Sequence, residues 1–261
     1  MKVATWNVNS VRKRTGNLVA WLKKARPDIV VLQEIKAQEE QFPRLEVEAA
    51  GYRAEIVGQK GFNGVALLSL HPVEITARAL PDPGDDGQAR YIEGRVQTPK
   101  GPLTVGGLYL PNGNPIHTDK FAYKIAWMDR LAQRARTLLA QEEMFVLGGD
   151  YNVCPTDVDV FDPAAFADDA LCQPQSRQAL RSLLNLGLTD AVRVFNADGP
   201  QYTYWDYQAG AWQKDHGLRI DHLLLSPQAA DRLAAVGIDR EERGRPEPSD
   251  HVPVWCELEV D

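Results

Sequence analysis

With 261 residues the chain can bury a substantial core as one large or two small domains, and no stretch of it is marked as a linker. A formal charge of −7 argues against charge-driven, non-specific binding to polyanions, although the total still contains local basic patches, Arg12-Lys13-Arg14 and Lys23-Lys24-Arg26. No apolar run would span a bilayer, no secretory leader is visible, and three cysteines (Cys154, Cys172, Cys256) fit neither a disulfide framework nor a zinc site; reduced thiols in a cytoplasmic setting, with no membrane partner, are the expectation.

Lys2 to Asn9 is an apolar strand that ends in two amides, Asn7 and Asn9. Arg14 to Ala25 is a helix with Leu18, Leu22 and Ala25 on one face and Pro27 beyond its end. Ile29 to Leu32 repeats the first design and runs into Gln33 and Glu34, so strand, helix and strand form a crossover unit with both strand ends at one sheet edge. Tyr52–Val57, Gly64–Leu70, Tyr91–Thr98 and Leu103–Leu110 are short β segments, the last two joined by a hairpin turn at Thr98-Pro99-Lys100-Gly101-Pro102. Pro81 to Gln88 is a polar surface loop. This antiparallel run ends at Tyr109-Leu110-Pro111-Asn112-Gly113.

A long helix follows from about Asp119 to Gln141, with Phe121, Ile125, Met128, Leu131, Ala135 and Leu138 as its buried stripe. The strand after it breaks at Gly148-Gly149 and delivers Asp150 and Asn152. Taken alone, that turn could be an acid and an amide bonding their own backbone. Cys154 to Gln173 is a long loop without periodicity, which in a compact domain is functional or mobile, and Gln175 to Leu186 is a helix closed by Gly187. Tyr202 to Tyr207 is aromatic, Arg219-Ile220-Asp221 leads into an apolar strand, and Ser226-Pro227 caps a helix that runs to Gly237. The last strand begins at Ser249-Asp250-His251. Strand-helix units at both ends of a β-rich middle indicate two sheets packed face to face with helices outside, an α/β architecture.

Five strands thus carry polar termini: Asn7 with Asn9, Glu34, Asp150 with Asn152, Asp221, and Asp250-His251; Tyr109 ends a sixth. Carboxylate and amide oxygens without thiolates suit a hard cation, Mg²⁺ or Mn²⁺. An imidazole held by a second acid can stabilise charge. With no nucleophilic Ser or Cys in a recognisable motif, direct attack by water, that is metal-assisted phosphodiester hydrolysis, follows.

The blocks Thr5-Trp6-Asn7-Val8-Asn9-Ser10, Leu32-Gln33-Glu34, Gly64-Val65-Ala66-Leu67-Leu68, Tyr109-Leu110-Pro111-Asn112, Gly149-Asp150-Tyr151-Asn152, Leu218-Arg219-Ile220-Asp221 and Ser249-Asp250-His251, in this order, resemble the exonuclease III family of abasic-site endonucleases. The resemblance implies a single domain over residues 1–261 with the deoxyribonuclease I-like fold, a four-layered α/β sandwich of two mainly antiparallel sheets flanked by helices. It implies that Glu34 and Asp250 hold the metal with Asn7 or Asn9 nearby, that Asp150 aligns or deprotonates water, that Asn152 positions water and phosphate, that His251 oriented by Asp221 stabilises phosphorane charge, and that Tyr109 meets the phosphate or leaving oxygen. Two positions depart from the family pattern. Asn9 stands where animal members carry an aspartate ligand, and Tyr204 where other members carry Trp or Phe against a base-less sugar. Trp205 either joins Tyr204 there or belongs to the core; Lys120 and Lys124, near Asn112, either grip DNA phosphates or form a solvated face.

The expected activity is Mg²⁺-dependent hydrolysis 5′ to abasic sites in double-stranded DNA, with trimming of 3′ nucleotides and blocked 3′ ends, by a monomer. Two alternatives stay open: a phosphodiesterase or phosphatase of the same fold acting on lipid or inositol phosphates, and a non-catalytic DNA-binding module.

Overall fold

The computed structural model describes residues 1–82 and 86–260. In chain order the elements are β1 (Lys2–Asn7), α1 (Thr15–Ala25), β2 (Ile29–Gln33), α2 (Arg44–Ala49), β3 (Arg53–Val57), β4 (Val65–Ser69), β5 (Glu74–Ala77), β6 (Tyr91–Thr98), β7 (Gly101–Tyr109), α3 (Asp119–Leu139), β8 (Met144–Asp150), α4 (Pro174–Leu184), β9 (Thr189–Asp190), α5 (Ala191–Phe195), β10 (Asp221–Leu225), α6 (Pro227–Ala230), β11 (Leu233–Ile238) and β12 (Val254–Leu258). They build two six-stranded sheets, ordered β11-β12-β1-β2-β4-β3 and β5-β6-β7-β8-β10-β9. Each is antiparallel except for one parallel pair, β1 with β2 and β7 with β8.

Strand alternation explains the layering. Val3, Val31, Val105, Val146, Leu223 and Val254 fill the space between the sheets. The intervening Ala4, Trp6, Val30 and Leu32 meet Leu18, Trp21 and Leu22 of α1. On the other side, Phe145 and Leu147 meet Trp127, Met128 and Leu131 of α3 and Leu180 and Leu183 of α4. Four layers result, as the sequence pattern and the family resemblance predict.

The same period of two decides where the polar ends go. Asn7 keeps step with Val3 and Thr5, Asp150 with Val146 and Gly148, and Asp221 with Leu223 and Leu225, so all three fall on inward faces. β1, β2, β7 and β8 bring their C-terminal ends to this edge, whereas β10, antiparallel to β8, brings its first residue, with Asp221 opposite Asp150. Close approach of β7 and β8 requires Gly149, because a Cβ there would stand 2.0 Å from the Leu108 carbonyl oxygen.

Two sequence expectations are corrected. The helix expected from Ser226 to Gly237 is a single turn, and Leu233–Ile238 is instead a strand paired antiparallel with β12. The stripe of α3 is buried as expected at Met128, Leu131, Ala135 and Leu138, but nearer its start the buried residues are Lys124 and Trp127, while Phe121 and Ile125 are partly exposed. β5, an edge strand of half-exposed residues, and the short α5 were not foreseen. Of the loop expected over Pro81 to Gln88, residues 83–85 lie outside the described residues. No helix among the described residues is long and apolar enough to cross a membrane.

Candidate active site

Three of the strand exits pass through left-handed backbone at residues other than glycine: Asn9 (φ 41°), Glu34 (φ 49°) and Asn152 (φ 48°). Such conformations cost about 1–3 kcal/mol each and persist only where surrounding contacts over-determine them. Here those contacts are the site itself. Asn7 Nδ2 lies 2.9 Å from Glu34 Oε1 and 3.0 Å from Asp150 Oδ2, so one amide ties the first sheet to the second. The Asn152 backbone N–H donates to Asp150 Oδ1 at 2.9 Å.

His251 is buried between two carboxylates, with Nδ1 2.8 Å from Asp221 Oδ2 and Nε2 3.8 Å from Asp150 Oδ2. Thr203 Oγ1 donates to the same Asp221 oxygen at 2.6 Å, while the buried Asp221 Oδ1 has no hydrogen-bond partner among the described residues. Burial disfavours the imidazolium, but Asp221 and Asp150 outweigh it and raise His251 to about 10. Burial also raises Asp150, to about 7; the His251 charge pulls it down and Asp221 pushes it further up. The arrangement is a protonated ring held by one acid beside a second acid of raised basicity.

Glu34 lies next to this pair. Its Oε1 accepts from Asn7 and, at 2.9 Å, from the Tyr109 hydroxyl; its Oε2 lies 2.7 Å from Lys36 Nζ. Burial works to raise the Glu34 carboxyl, but Lys36 and the Asn7 amide more than offset it and hold the acid below its ordinary range. Tyr109 is pushed well above its usual value by burial and by Glu34, and the Arg90 guanidinium covers its ring at 4.8 Å. In this structure, then, Tyr109 orients Glu34.

Ligand-capable atoms of Glu34, Asp150 and His251 lie within 4.8 Å of one another. A protonated His251 bonded to Asp221 has no lone pair to offer, so hard-cation coordination falls to the carboxylate and amide oxygens around it, a donor set that fits Mg²⁺ or Mn²⁺. Asp250 joins the group one step removed: its Oδ1 accepts from Asn9 Nδ2 at 3.0 Å.

Asn152 is fixed from three sides. Its Nδ2 donates to the Leu110 carbonyl at 2.8 Å, leaving one amide proton for another acceptor; its Oδ1 accepts from exposed Asn112 at 3.2 Å; its carbonyl accepts from Lys124. The structure corrects the sequence expectation for Lys124. Rather than reaching DNA phosphates or standing on a solvated face, it is fully buried, bridges the Asn112 and Asn152 carbonyls, and is pushed down to about 7 by burial against the pull of Asp150 and Asp169. Lys120 is exposed. Of the two readings of Trp205 the structure favours the core: with 0% exposure, its Nε1 bonded to Asp215 and its ring edge-on to Trp212, it cannot stack on a sugar. Tyr204 is half-buried and stands edge-on to His251 at 4.9 Å.

Sequence reasoning missed Lys36, Thr203, Arg90 and Tyr207. Tyr207 accepts from Asn9 at 3.3 Å and from Arg14 at 2.9 Å, tying the basic patch before α1 to the site. None of these four forms a motif by type and spacing. Lys36 alone had a usable signal, its position two residues beyond a strand-end carboxylate.

Two sheets meeting at an edge lined with acids, amides and a charged imidazole define a hydrolase site for phosphate esters. The chain belongs to the endonuclease/exonuclease/phosphatase family, whose pattern its residues 4–251 match. It is 34% identical to exodeoxyribonuclease III of Haemophilus influenzae over 266 aligned positions, 99% of this chain and all of that protein. Among solved structures it is similar to the 3′ phosphatase NExo of Neisseria bound to a product DNA hairpin, with TM-score 0.95, 37% identity and 99% coverage of each chain. It is also similar to an AP endonuclease of Archaeoglobus fulgidus, with TM-score 0.93, 32% identity and full coverage of both.

Proposed function

We propose that this DNA repair nuclease of the exonuclease III type requires Mg²⁺, hydrolyses the phosphodiester 5′ to an abasic site in duplex DNA, and removes 3′ blocking groups. The observation that carries the reading is the placement of one imidazole against Asp221 and Asp150 beside Glu34, at the edge where two sheets meet. Kinship over the whole length with DNA-acting enzymes favours DNA over lipid or inositol phosphates, and the intact set of ionisable groups speaks against a module that only binds.

Glu34, with Asp250, Asn7 and Asn9, would hold the ion, which when bound supplies charge neutralisation at the phosphate and a place for water. Asp150, raised to about 7 by burial, accepts a proton from the attacking water as the bond from phosphorus to the 3′ oxygen breaks and that oxygen, leaving as an alkoxide, takes its proton from solvent; the Asn7 amide and the Asn152 N–H fix the two Asp150 oxygens. His251, kept protonated by Asp221, donates to a non-bridging phosphate oxygen, where charge grows. The free amide proton of Asn152 orients the water or the phosphate. Tyr204, beside His251, lines the place for an unstacked sugar.

The test is a labelled duplex with one abasic analogue, incubated with Mg²⁺ and separately with chelator. Mg²⁺-dependent scission 5′ to the lesion supports the reading, and no scission with any divalent ion overturns it. A duplex ending in a 3′-phosphate tests the trimming activity suggested by the likeness to the Neisseria 3′ phosphatase.

A further inference from the structure

We propose that the Lys36 ammonium is a tethered competitor for the divalent-cation site. It occupies the Glu34 and Asn9 oxygens until the ion displaces it, and so it sets the affinity for the ion. The inference rests on Glu34 and Asn9 being part of that site.

Lys36 Nζ is 2.7 Å from Glu34 Oε2 and 2.6 Å from Asn9 Oδ1. Both Glu34 oxygens are therefore engaged, but unequally. Oε1 is held by the Asn7 amide and the Tyr109 hydroxyl, two side chains fixed on strands, whereas among the described residues Oε2 has only the end of a flexible four-carbon stem. An ion that ligates Glu34 through Oε2 must take that oxygen from Lys36. Asn9 extends the chain, since its Nδ2 donates to Asp250 Oδ1; the ammonium thus sits in line with Glu34, Asn9 and Asp250, three of the four residues assigned to the ion.

The base of the tether is rigid and its tip is not. Lys36 stands in left-handed backbone (φ 50°) with its N–H bonded to the Asn63 carbonyl at 3.0 Å, while its side chain is 29% exposed and has solvent to swing into. Ammonium and divalent ion repel, so they cannot share Glu34 Oε2 and Asn9 Oδ1 at contact distance. A neutral amide at position 9 suits this exchange, because it accepts from an ammonium as readily as it ligates and releases the lysine without a second buried carboxylate to neutralise.

The experiment measures Mn²⁺ binding to chelator-treated, dialysed protein without DNA, by the paramagnetic resonance signal of free Mn²⁺. Ligand charge sets divalent affinity, so Lys36→Met is expected to bind Mn²⁺ about tenfold more tightly than wild type, and Lys36→Arg, which keeps the charge, to bind as wild type does. Unchanged or weaker binding by Lys36→Met overturns the proposal, since a lysine that merely orders Glu34 would weaken the site when removed. Glu34→Gln separates the two levels. If it binds as wild type does, the ion is held elsewhere and the underlying site assignment fails as well; if it loses binding while Lys36→Met matches wild type, only the competition is wrong. Thermal melting in chelator and in Mg²⁺ is the second readout: Lys36→Met should melt lower than wild type without the ion and gain more from adding it. Should Lys36→Met not fold, Lys36→Gln carries the same expectations.

Discussion

His251 Nε2 lies 3.8 Å from Asp150 Oδ2, both side chains buried, and no strand pairing relates them: Asp150 ends β8 and His251 precedes β12 in the opposite sheet. The contact crosses the space between the sheets, so it exists only when both halves of the molecule are assembled. It also makes each group's charge depend on the other.

Asp150→Asn tests that pair most directly. The amide keeps the shape and can still meet Asn7, but it cannot take a proton from water. Cleavage of an abasic duplex should fall by roughly 10²- to 10⁴-fold. Folding should be retained, because a buried carboxylate facing Asp221 and Glu34 is replaced by a neutral group. A variant that cleaves at the wild-type rate would remove Asp150 from its assigned role.

Stability against pH separates His251 from Lys124. The raised pKa of His251 contributes stability that is complete below the ordinary imidazole value and is lost as pH rises towards about 10. The depressed pKa of Lys124 works in the other direction: its contribution is complete above the ordinary lysine value and is lost as pH falls towards about 7. Between these limits the two oppose each other. In chelator, urea melts from pH 7 to pH 10 should therefore show stability rising with pH in Asp221→Asn, which releases His251, and falling in Lys124→Met, with wild type flatter than either. Parallel slopes in the two variants would contradict the assignment.

Trp205 and Tyr204 are neighbours in sequence with different jobs. Trp205→Ala should cost about 3–5 kcal/mol by urea denaturation, the usual range for emptying a large aromatic site in a core. Tyr204→Phe keeps the ring against His251 and should leave stability and cleavage near wild type, whereas Tyr204→Ala should lose cleavage with a smaller stability cost than Trp205→Ala. The reverse order of stability costs would mean that burial misrepresents the pair.

How much of this could be read from the sequence follows from what each feature depends on. Short apolar runs predicted β1, β2, β7 and β8, and their polar ends marked Asn7, Glu34, Asp150 and Asn152, because a run of apolar residues and its termination are local properties. The segment after Pro227 misled for the opposite reason. Ala229, Ala230, Ala234 and Ala235 favour helix locally, yet pairing with β12 decides the matter in favour of β11. Burial of Lys124 and Trp205 was illegible because it depends on which face a neighbouring segment covers: the carbonyls that hold Lys124 belong to Asn112 and Asn152, distant in sequence. Lys36 had a signal in its place two residues after Glu34, but its contact with that acid depends on backbone turns at Glu34 and Lys36 that residue type does not announce.

Gly149 carries a prediction about the strand pair that presents Asp150. β7 and β8 are parallel, with Leu108 opposite Gly149 and Tyr109 opposite Asp150. A Cβ at position 149 would stand 2.0 Å from the Leu108 carbonyl oxygen and 2.8 Å from its side chain, and a backbone atom cannot yield as a side-chain tip can. Gly149→Ala must push β7 from β8, which disturbs both Tyr109 and Asp150 where they meet Glu34 and Asn7. The expected cost is about 1–3 kcal/mol or more, with cleavage lost further than the fall in folded fraction explains. Gly16→Ala serves as the control, since among the described residues nothing beyond its chain neighbours and the backbone of its own helix lies within 4 Å of a Cβ there, in the first turn of α1, and alanine should be neutral or slightly stabilising. Wild-type melting and wild-type cleavage in Gly149→Ala would show that the two strands can separate without moving the site.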